Sequence, residues 1–178
     1  MKALLRKLAL GLLAVLLVIS GVWLDFYLPE KSITTITGVE VKRVDKDGPI
    51  GKENPADGPT TDVYFLYTVS TGEKVRVFRN EDTGWGFPFY FKFNSADVQA
   101  RAKALEFEKG LARITSYGWR LNMFSWFPNV TKVERVDSAE ASTFSFFRWL
   151  GFGLWLLAWG WIARLVWRSD WAWPDADV

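Results

Sequence analysis

The sequence predicts an α+β protein: a small β-rich domain, a partly open barrel or sandwich with one helix, flanked by two transmembrane helices. Three observations predict it. Long apolar runs stand near both ends of the 178-residue chain, at 8–24 and 144–163. Between them the apolar pattern falls to period two, the mark of half-buried strands. One segment, 94–110, returns to helical spacing. The expected division is 1–28 for the amino-terminal end and anchor, 29–143 for the β-rich domain, 144–168 for a Trp-rich transmembrane helix and 169–178 for a tail.

From Leu8 to Leu24 there are seventeen uncharged residues, eleven of them Leu, Val or Ile, directly after Lys2, Arg6 and Lys7. Inserting such a stretch into a bilayer is favourable by about 3 to 6 kcal/mol. A cleaved signal peptide has a shorter apolar core followed by a small-x-small site. Here Ser20 and Gly21 lead into Val22, Trp23 and Leu24, so an uncleaved anchor is the preferred reading.

The second run is uncharged for fifteen residues, Trp149 to Ala163, which at 1.5 Å rise covers only about 22 Å of a hydrocarbon core some 30 Å thick. Adding Phe144 to Arg148 completes a span, with Arg148 expected to snorkel to the headgroups. Arg164 and Arg168 fix the other end, and Trp167, Trp171 and Trp173 form an aromatic belt. Gly153 and Gly160, seven apart, share a helix stripe and are the candidates for close contact with another helix. Basic residues flank both spans on the terminal sides, so the positive-inside rule puts both termini in the cytoplasm and exports the central domain to the periplasm.

Within that domain, Val39 and Val41 alternate with Glu40 and Lys42 in a first strand. Residues 46–61, with three Gly and three Pro, read as a loop. Val63, Phe65, Tyr67 and Val69 then share one strand face, and Val75 and Val77 follow across a Gly-containing turn. Phe87, Phe89, Phe91 and Phe93 alternate around Pro88, as in an edge strand or an irregular extended segment. Asn94 is the expected N-cap of the helix, with Asp97 at N3, apolar Val98, Ala102 and Leu105 on one face, and Gly110 as the stop. Strand patterns resume at 119–124 and 130–136.

The chain has no Cys and no His. Disulfides, Cys nucleophiles, Cys/His zinc sites and imidazole-dependent triads are therefore excluded. With 22 basic and 20 acidic residues, the charge balance also argues against nucleic acid as a partner. No metal site and no cofactor is expected. The segment Asp45-Lys46-Asp47-Gly48 with Glu53 fails the spacing of a calcium loop, and Asn129-Val130-Thr131, formally a glycosylation acceptor, reads as a strand start.

Two blocks remain as ligand or partner candidates. Glu81 and Asp82 precede Gly84 and Trp85; paired acids can bind a hard cation or divide acid and base roles, but adjacent carboxylates rarely converge on one atom, and a capped turn is preferred. Trp85, Tyr90, Trp119 and Trp126 could line a groove that stacks a ligand, with Arg120 fixing an anionic end. The competing reading, a core filled with large rings, is preferred because aromatics are ordinary core material.

These same residues carry a resemblance. Val75-Arg76-Val77-Phe78-Arg79-Asn80-Glu81-Asp82-Thr83-Gly84-Trp85-Gly86, Tyr90-Phe91-Lys92-Phe93-Asn94-Ser95-Ala96-Asp97, Tyr117-Gly118-Trp119-Arg120 and Phe124-Ser125-Trp126-Phe127-Pro128-Asn129 resemble the bacterial membrane family called domain of unknown function 1523 (DUF1523). The resemblance runs through most of residues 1–136. It implies a proteobacterial envelope protein and assigns no catalytic residue. The expectation is a non-enzymatic partner or assembly component of an envelope complex, in contact with the lipid bilayer and a membrane or periplasmic protein. A periplasmic module binding a cell-wall, lipid or peptide ligand is the alternative, and a carboxylate-dependent hydrolase the third reading.

Overall fold

The computed structural model describes residues 2–45, 48–55 and 57–168. Lys46, Asp47, Trp171, Trp173 and the whole 169–178 tail lie outside the described residues. The chain divides into two compact units, Met1–Leu28 with Phe146–Val178, and Pro29–Ser145.

The first unit holds helices α1 (Lys2–Tyr27) and α3 (Phe146–Arg168). Lys7–Tyr27 and Phe146–Arg168 are long and apolar enough to cross a membrane, with mean hydropathies of 2.3 and 1.4. The lower value of α3 reflects its tryptophans and Arg148. The two helices pack against each other over their adjoining ends. Gly21 lets the Trp155 ring lie where a Cβ would stand only 3.0 Å from it, and the indole Nε1 of Trp155 donates to Ser20 Oγ at 3.1 Å.

The second unit contains strands β1 (Glu30–Asp45), β2 (Gly48–Pro49), β3 (Thr61–Ser70) and β4 (Val75–Asn80), helix α2 (Ser95–Glu108), and strands β5 (Leu111–Tyr117) and β6 (Asn129–Val136). β2 only folds back on the end of β1. The other five strands close on themselves in the order β1-β3-β4-β6-β5-β1. Closure depends on β1, whose first residues pair with β5 and whose later ones pair with β3. A bulge between Ile36 and Gly38 bends the strand between its two neighbours. Gly38 leaves room there for the ring of Tyr67, which would lie 3.3 Å from a Cβ. The last seam, β4 to β6, is parallel and has one register pair, Arg79 with Asn129. A five-stranded, partly open Greek-key barrel with one long shared strand, a parallel closing seam and a helix between the third and fourth barrel strands is the OB-fold.

The core is small and mostly aliphatic. Ile36, Leu66, Phe78, Ala112, Ile114, Val130 and Val133 fill the barrel, and Val98, Ala102 and Leu105 of α2 close it from below. The helix thus buries the expected face. Each large side chain taken out of water here contributes about 1.5 to 3 kcal/mol.

Three strand expectations fail. In β3 the buried positions are Val63, Leu66 and Thr68, while Phe65 and Tyr67 stand on the outer side; a narrow barrel takes Thr68, whose hydroxyl donates to Arg76 O at 3.0 Å, in preference to a ring. No strand occupies 119–124. Gly118, at φ 91°, turns the chain out of β5, and 119–128 is a loop with a single 3-10 turn, Asn122–Phe124. The strand lies earlier, at Leu111–Tyr117, where small or polar inward residues, Ala112 and Ser116, hid the alternation. The third, the edge-strand reading of 87–93, belongs to the site.

Candidate functional site

The acidic pair sits where β4 ends. Asn80, the last residue of β4, is fully buried; its amide donates to Ser95 O at 2.9 Å and its carbonyl accepts from Lys92 Nζ at 2.5 Å. Lys92 is itself only 5% exposed. Its ammonium donates a second hydrogen bond to Glu81 O at 3.0 Å and stands 3.8 Å from Asp82 Oδ1. Burial pushes the Lys92 pKa down to about 8, against the opposing pull of the Asp82 and Glu81 charges. Across the closing seam Asn129, the first residue of β6, accepts from the Glu81 amide at 2.9 Å and donates to Glu81 O at 3.1 Å and to the Tyr117 hydroxyl at 3.0 Å.

Both acids are therefore committed. Asp82 accepts from the Ser95 amide at 2.9 Å and from the Ser95 hydroxyl at 2.8 Å, so it caps α2 from thirteen residues upstream. Asn94, the expected cap, makes no side-chain cap hydrogen bond. The helix ends on Lys109 in the left-handed region, one residue before the expected Gly110. The Glu81 carboxylate pairs with Arg79. The two carboxylates diverge, and among the described residues no group of three Asp or Glu is placed to hold a metal ion. The arrangement is a polar knot tying β4, β5, β6 and α2 together, and the capped-turn reading of Glu81 and Asp82 fits it.

From this knot two aromatic loops emerge. Residues 81–94 form turns without strand pairing. Lys92 explains why: to bring its ammonium inside, the backbone at Phe89 and Phe91 takes left-handed φ values of 59° and 48°, which breaks the alternation of a strand. The loop closes through Gly84 N to Lys92 O at 3.0 Å and Lys92 N to Thr83 Oγ1 at 3.2 Å, and its Phe87-Pro88 bond is cis. Trp85, 78% exposed, packs edge-on to Phe91 and Phe93. Phe87 and Phe89 are also exposed. Tyr90 instead turns back to stack on Tyr117, with centroids 4.6 Å apart. In the second loop Leu121 and Trp126 exchange backbone hydrogen bonds around the 3-10 turn, leaving Met123, Phe124 and Trp126 exposed. These rings are not core, contrary to the preferred sequence reading. The two loops form an aromatic rim on the barrel, rigidly rooted in the polar knot.

The predicted aromatic groove is thus divided. Trp85 and Trp126 are on the rim, Tyr90 is at its root, and Trp119 is half-buried in the loop after β5. Arg120 belongs to a different surface, the outer wall of β1 and β3. There the Arg120 guanidinium lies 4.1 Å from the Phe127 centroid and donates to Trp126 O at 2.9 Å. Phe127 meets Phe65 edge-on at 5.3 Å, and Lys42 Nζ lies 5.6 Å from the Phe65 centroid. The result is a row of two rings with a cation at each end. Beside it the Tyr67 hydroxyl donates to Glu40 at 2.5 Å, which lowers the Glu40 pKa and raises that of Tyr67. Lys92, Phe65 and Phe127 were missed from sequence; a single Lys inside a run of Phe residues was the available clue to the first.

In the helical unit, Gly153 and Gly160 face open space. The helix contact uses Gly21 and Gly151 instead; a Cβ on Gly151 would lie 2.9 Å from Leu28. Arg148 pairs with Asp25, donates to Leu28 O at 3.3 Å and lies over the Phe152 ring. Arg148 thus has partners at the end of the neighbouring helix that the sequence reading did not name.

The family model described as "Protein of unknown function (DUF1523)" matches residues 5–170. A Haemophilus influenzae protein, described as "Uncharacterized protein", is 48% identical over 126 residues, 71% of this chain and 72% of that one. No solved structure matches.

Proposed function

The chain belongs to DUF1523, a family of unknown function, and we propose that it is a membrane-anchored contact module of the bacterial envelope. In this reading α1 and α3 cross the inner membrane, both termini are cytoplasmic, and the barrel is periplasmic. The barrel acts without catalysis, as a partner or assembly component of an envelope complex. The apolar composition of both helices and the basic residues on their terminal sides support the placement.

The observation that carries the contact role is the row Lys42, Phe65, Phe127 and Arg120 on the outer wall. Barrels of this topology bind on the face of their second and third strands and through the loops that join the first strand to the second and the fourth to the fifth; Phe65 lies on the second barrel strand, and Arg120 and Phe127 lie in the last of these loops. Aromatic rings and Arg are the residue types that dominate contact energies. Fold alone assigns no partner.

The alternative, a module for a cell-wall, lipid or peptide ligand, rests on a cavity of about 360 Å³ lined by Tyr64, Asn80, Glu81, Asp82 and Ser95 with Thr61 and Asp62. Its acids are already paired with Arg43, Arg79 and Lys92, which weakens both this reading and the hydrolase.

The test is purification of the full-length chain in mild detergent, with and without the Lys42→Glu, Arg120→Glu pair of substitutions. Co-purifying subunits recovered with the parent and lost with the variant, at equal thermal stability, are the expected result. A bare monomer carrying lipid or sugar favours the alternative. A cytoplasmic signal from a reporter fused after residue 60 overturns the placement.

A further inference from the structure

We propose that the aromatic rim is a lipid-binding surface, seated in the headgroup and upper acyl region of the bilayer that holds the two helices. The proposal rests on the anchored reading above. Trp85, Phe89, Met123, Phe124 and Trp126 are all exposed, Met123 by 88%. Single exposed rings are ordinary, but five large apolar side chains exposed on two loops whose roots touch, through Tyr90 on Tyr117 and Glu81 on Asn129, call for a covering surface.

Three observations select lipid over a protein partner. The first is charge: residues 83–91 and 121–131 contain no ionisable acid or base with a formal charge. The one cation at the root of the first loop, Lys92, is turned inward on Asn80 and Glu81. Protein interfaces surround their apolar centre with a polar, hydrogen-bonding rim, whereas Trp and Phe are residue types that seat in the membrane interface.

The second observation is chain continuity. α1 ends at Tyr27 and β1 starts at Glu30, and three residue steps reach at most about 11 Å. Glu30 pairs with Ser116, next to Tyr117, which pairs with Asn129; these are the roots of the rim loops. The chain leaves the barrel at the same place, since Lys31 Nζ donates to Phe144 O at 3.0 Å and α3 starts at Phe146. Entry, exit and rim loops share one region of the barrel. The polar interface adds about 5 to 8 Å on each side of the hydrocarbon core, so the tether keeps the loop roots within reach of that zone.

The third is rigidity. The Tyr90–Tyr117 stack and the knot around Lys92 hold the rings outward before any contact is made, which limits the ordering cost of insertion.

Because the chain has no Cys, a nitroxide can be placed at single introduced cysteines. The full-length variants Phe89→Cys, Phe124→Cys, Thr60→Cys and Leu157→Cys are labelled and reconstituted into vesicles of phosphatidylethanolamine and phosphatidylglycerol, and collision with oxygen is compared with collision with a water-soluble nickel chelate. Labels at 89 and 124 are expected to favour oxygen several-fold, as does 157 on α3, while 60, in the loop that follows the far end of β1, favours the chelate. An aqueous label at 157 overturns the anchored reading itself. Lipid exposure at 157 with chelate access at 89 and 124 overturns the rim proposal alone. Loss of access to both reagents at 89 and 124 marks a protein contact and overturns it equally. Since both rim positions are exposed, the labels leave the core untouched, and unchanged thermal midpoints confirm it.

Discussion

The ammonium of Lys92 meets the amide oxygen of Asn80 at 2.5 Å inside the barrel rim, two side chains twelve positions apart that are both almost wholly buried. A buried charge survives only with partners, and here it has Asn80 Oδ1, Glu81 O and Asp82. The pair decides how the aromatic loop is presented, because the residue that anchors the loop inside is the one that forces its neighbours Phe91 and Phe93 outward.

Lys92→Met removes the cation, leaves Asn80 Oδ1 without its donor and leaves Glu81 O with Asn129 alone. The expected cost is about 1 to 3 kcal/mol, the range for stranded buried polar groups. Thermal unfolding of the full-length protein in detergent, followed by tryptophan fluorescence, measures it. A variant as stable as the parent would show that the knot does not hold the loop.

Lys92 also sets a pH dependence. Its folded pKa, about 8, lies below the 10.5 of the unfolded chain. Between those values the unfolded state binds more protons, so stability rises with pH through this window. The full difference is worth about 3 kcal/mol. Tyr67 acts the other way: its folded pKa is raised, so its contribution is complete below pH 10 and fades above it. The expected profile therefore climbs from pH 8 to about 10, and Lys92→Met flattens that climb. Midpoints recorded at successive pH values distinguish the two.

Asp82 and Asn94 give a paired test of the helix cap. Asp82→Ala takes the acceptor from the Ser95 amide and hydroxyl and is expected to cost about 1 to 2 kcal/mol, as for a lost N-cap. Asn94→Ala removes no cap hydrogen bond and should change stability by less than about 0.5 kcal/mol. The reverse order, from denaturant unfolding, would restore the local cap read from sequence.

What was legible in the sequence follows from range. The helix face Val98, Ala102 and Leu105, the β3–β4 hairpin and both long apolar helices depend on spacing within a few residues, and they are read correctly. Asn94 holds the N-cap position as expected but supplies no side-chain cap hydrogen bond; the acceptor that does, on Asp82, lies thirteen positions from its donor, beyond the reach of local spacing. Strand β5 was missed because its inward residues are Ala112, Ile114 and Ser116, sized for a narrow barrel and only partly apolar. The exposed rings were misread for a different reason: hydrophobicity predicts that a side chain avoids water, and in a chain with two apolar helices a barrel core is not the sole apolar destination.

Arg148 and Asp25 join α3 to α1. Removing one partner leaves the other in a partly apolar setting, where an unpaired charge is costly. Arg148→Leu should lower the detergent midpoint more than the double variant Asp25→Leu, Arg148→Leu does. The cycle of four proteins isolates the coupling, and additive losses would mean the pair contributes nothing.

Gly21 and Gly153 test which face of the helices is occupied. A valine at 21 places a branched Cβ where the Trp155 ring already stands at 3.0 Å, and the Trp155 indole is also held by Ser20. Overpacking of this kind costs about 1 to 3 kcal/mol. A valine at 153 meets nothing within 4 Å and is expected to change the midpoint of the isolated monomer very little. Trp155→Ala opens the space and should make Gly21→Val tolerable, which a merely local loss of helix flexibility at position 21 would not do. If Gly153→Val proves the more harmful substitution in detergent, the α1–α3 contact runs along the Gly153 stripe, and the packing through Gly21 and Gly151 is wrong.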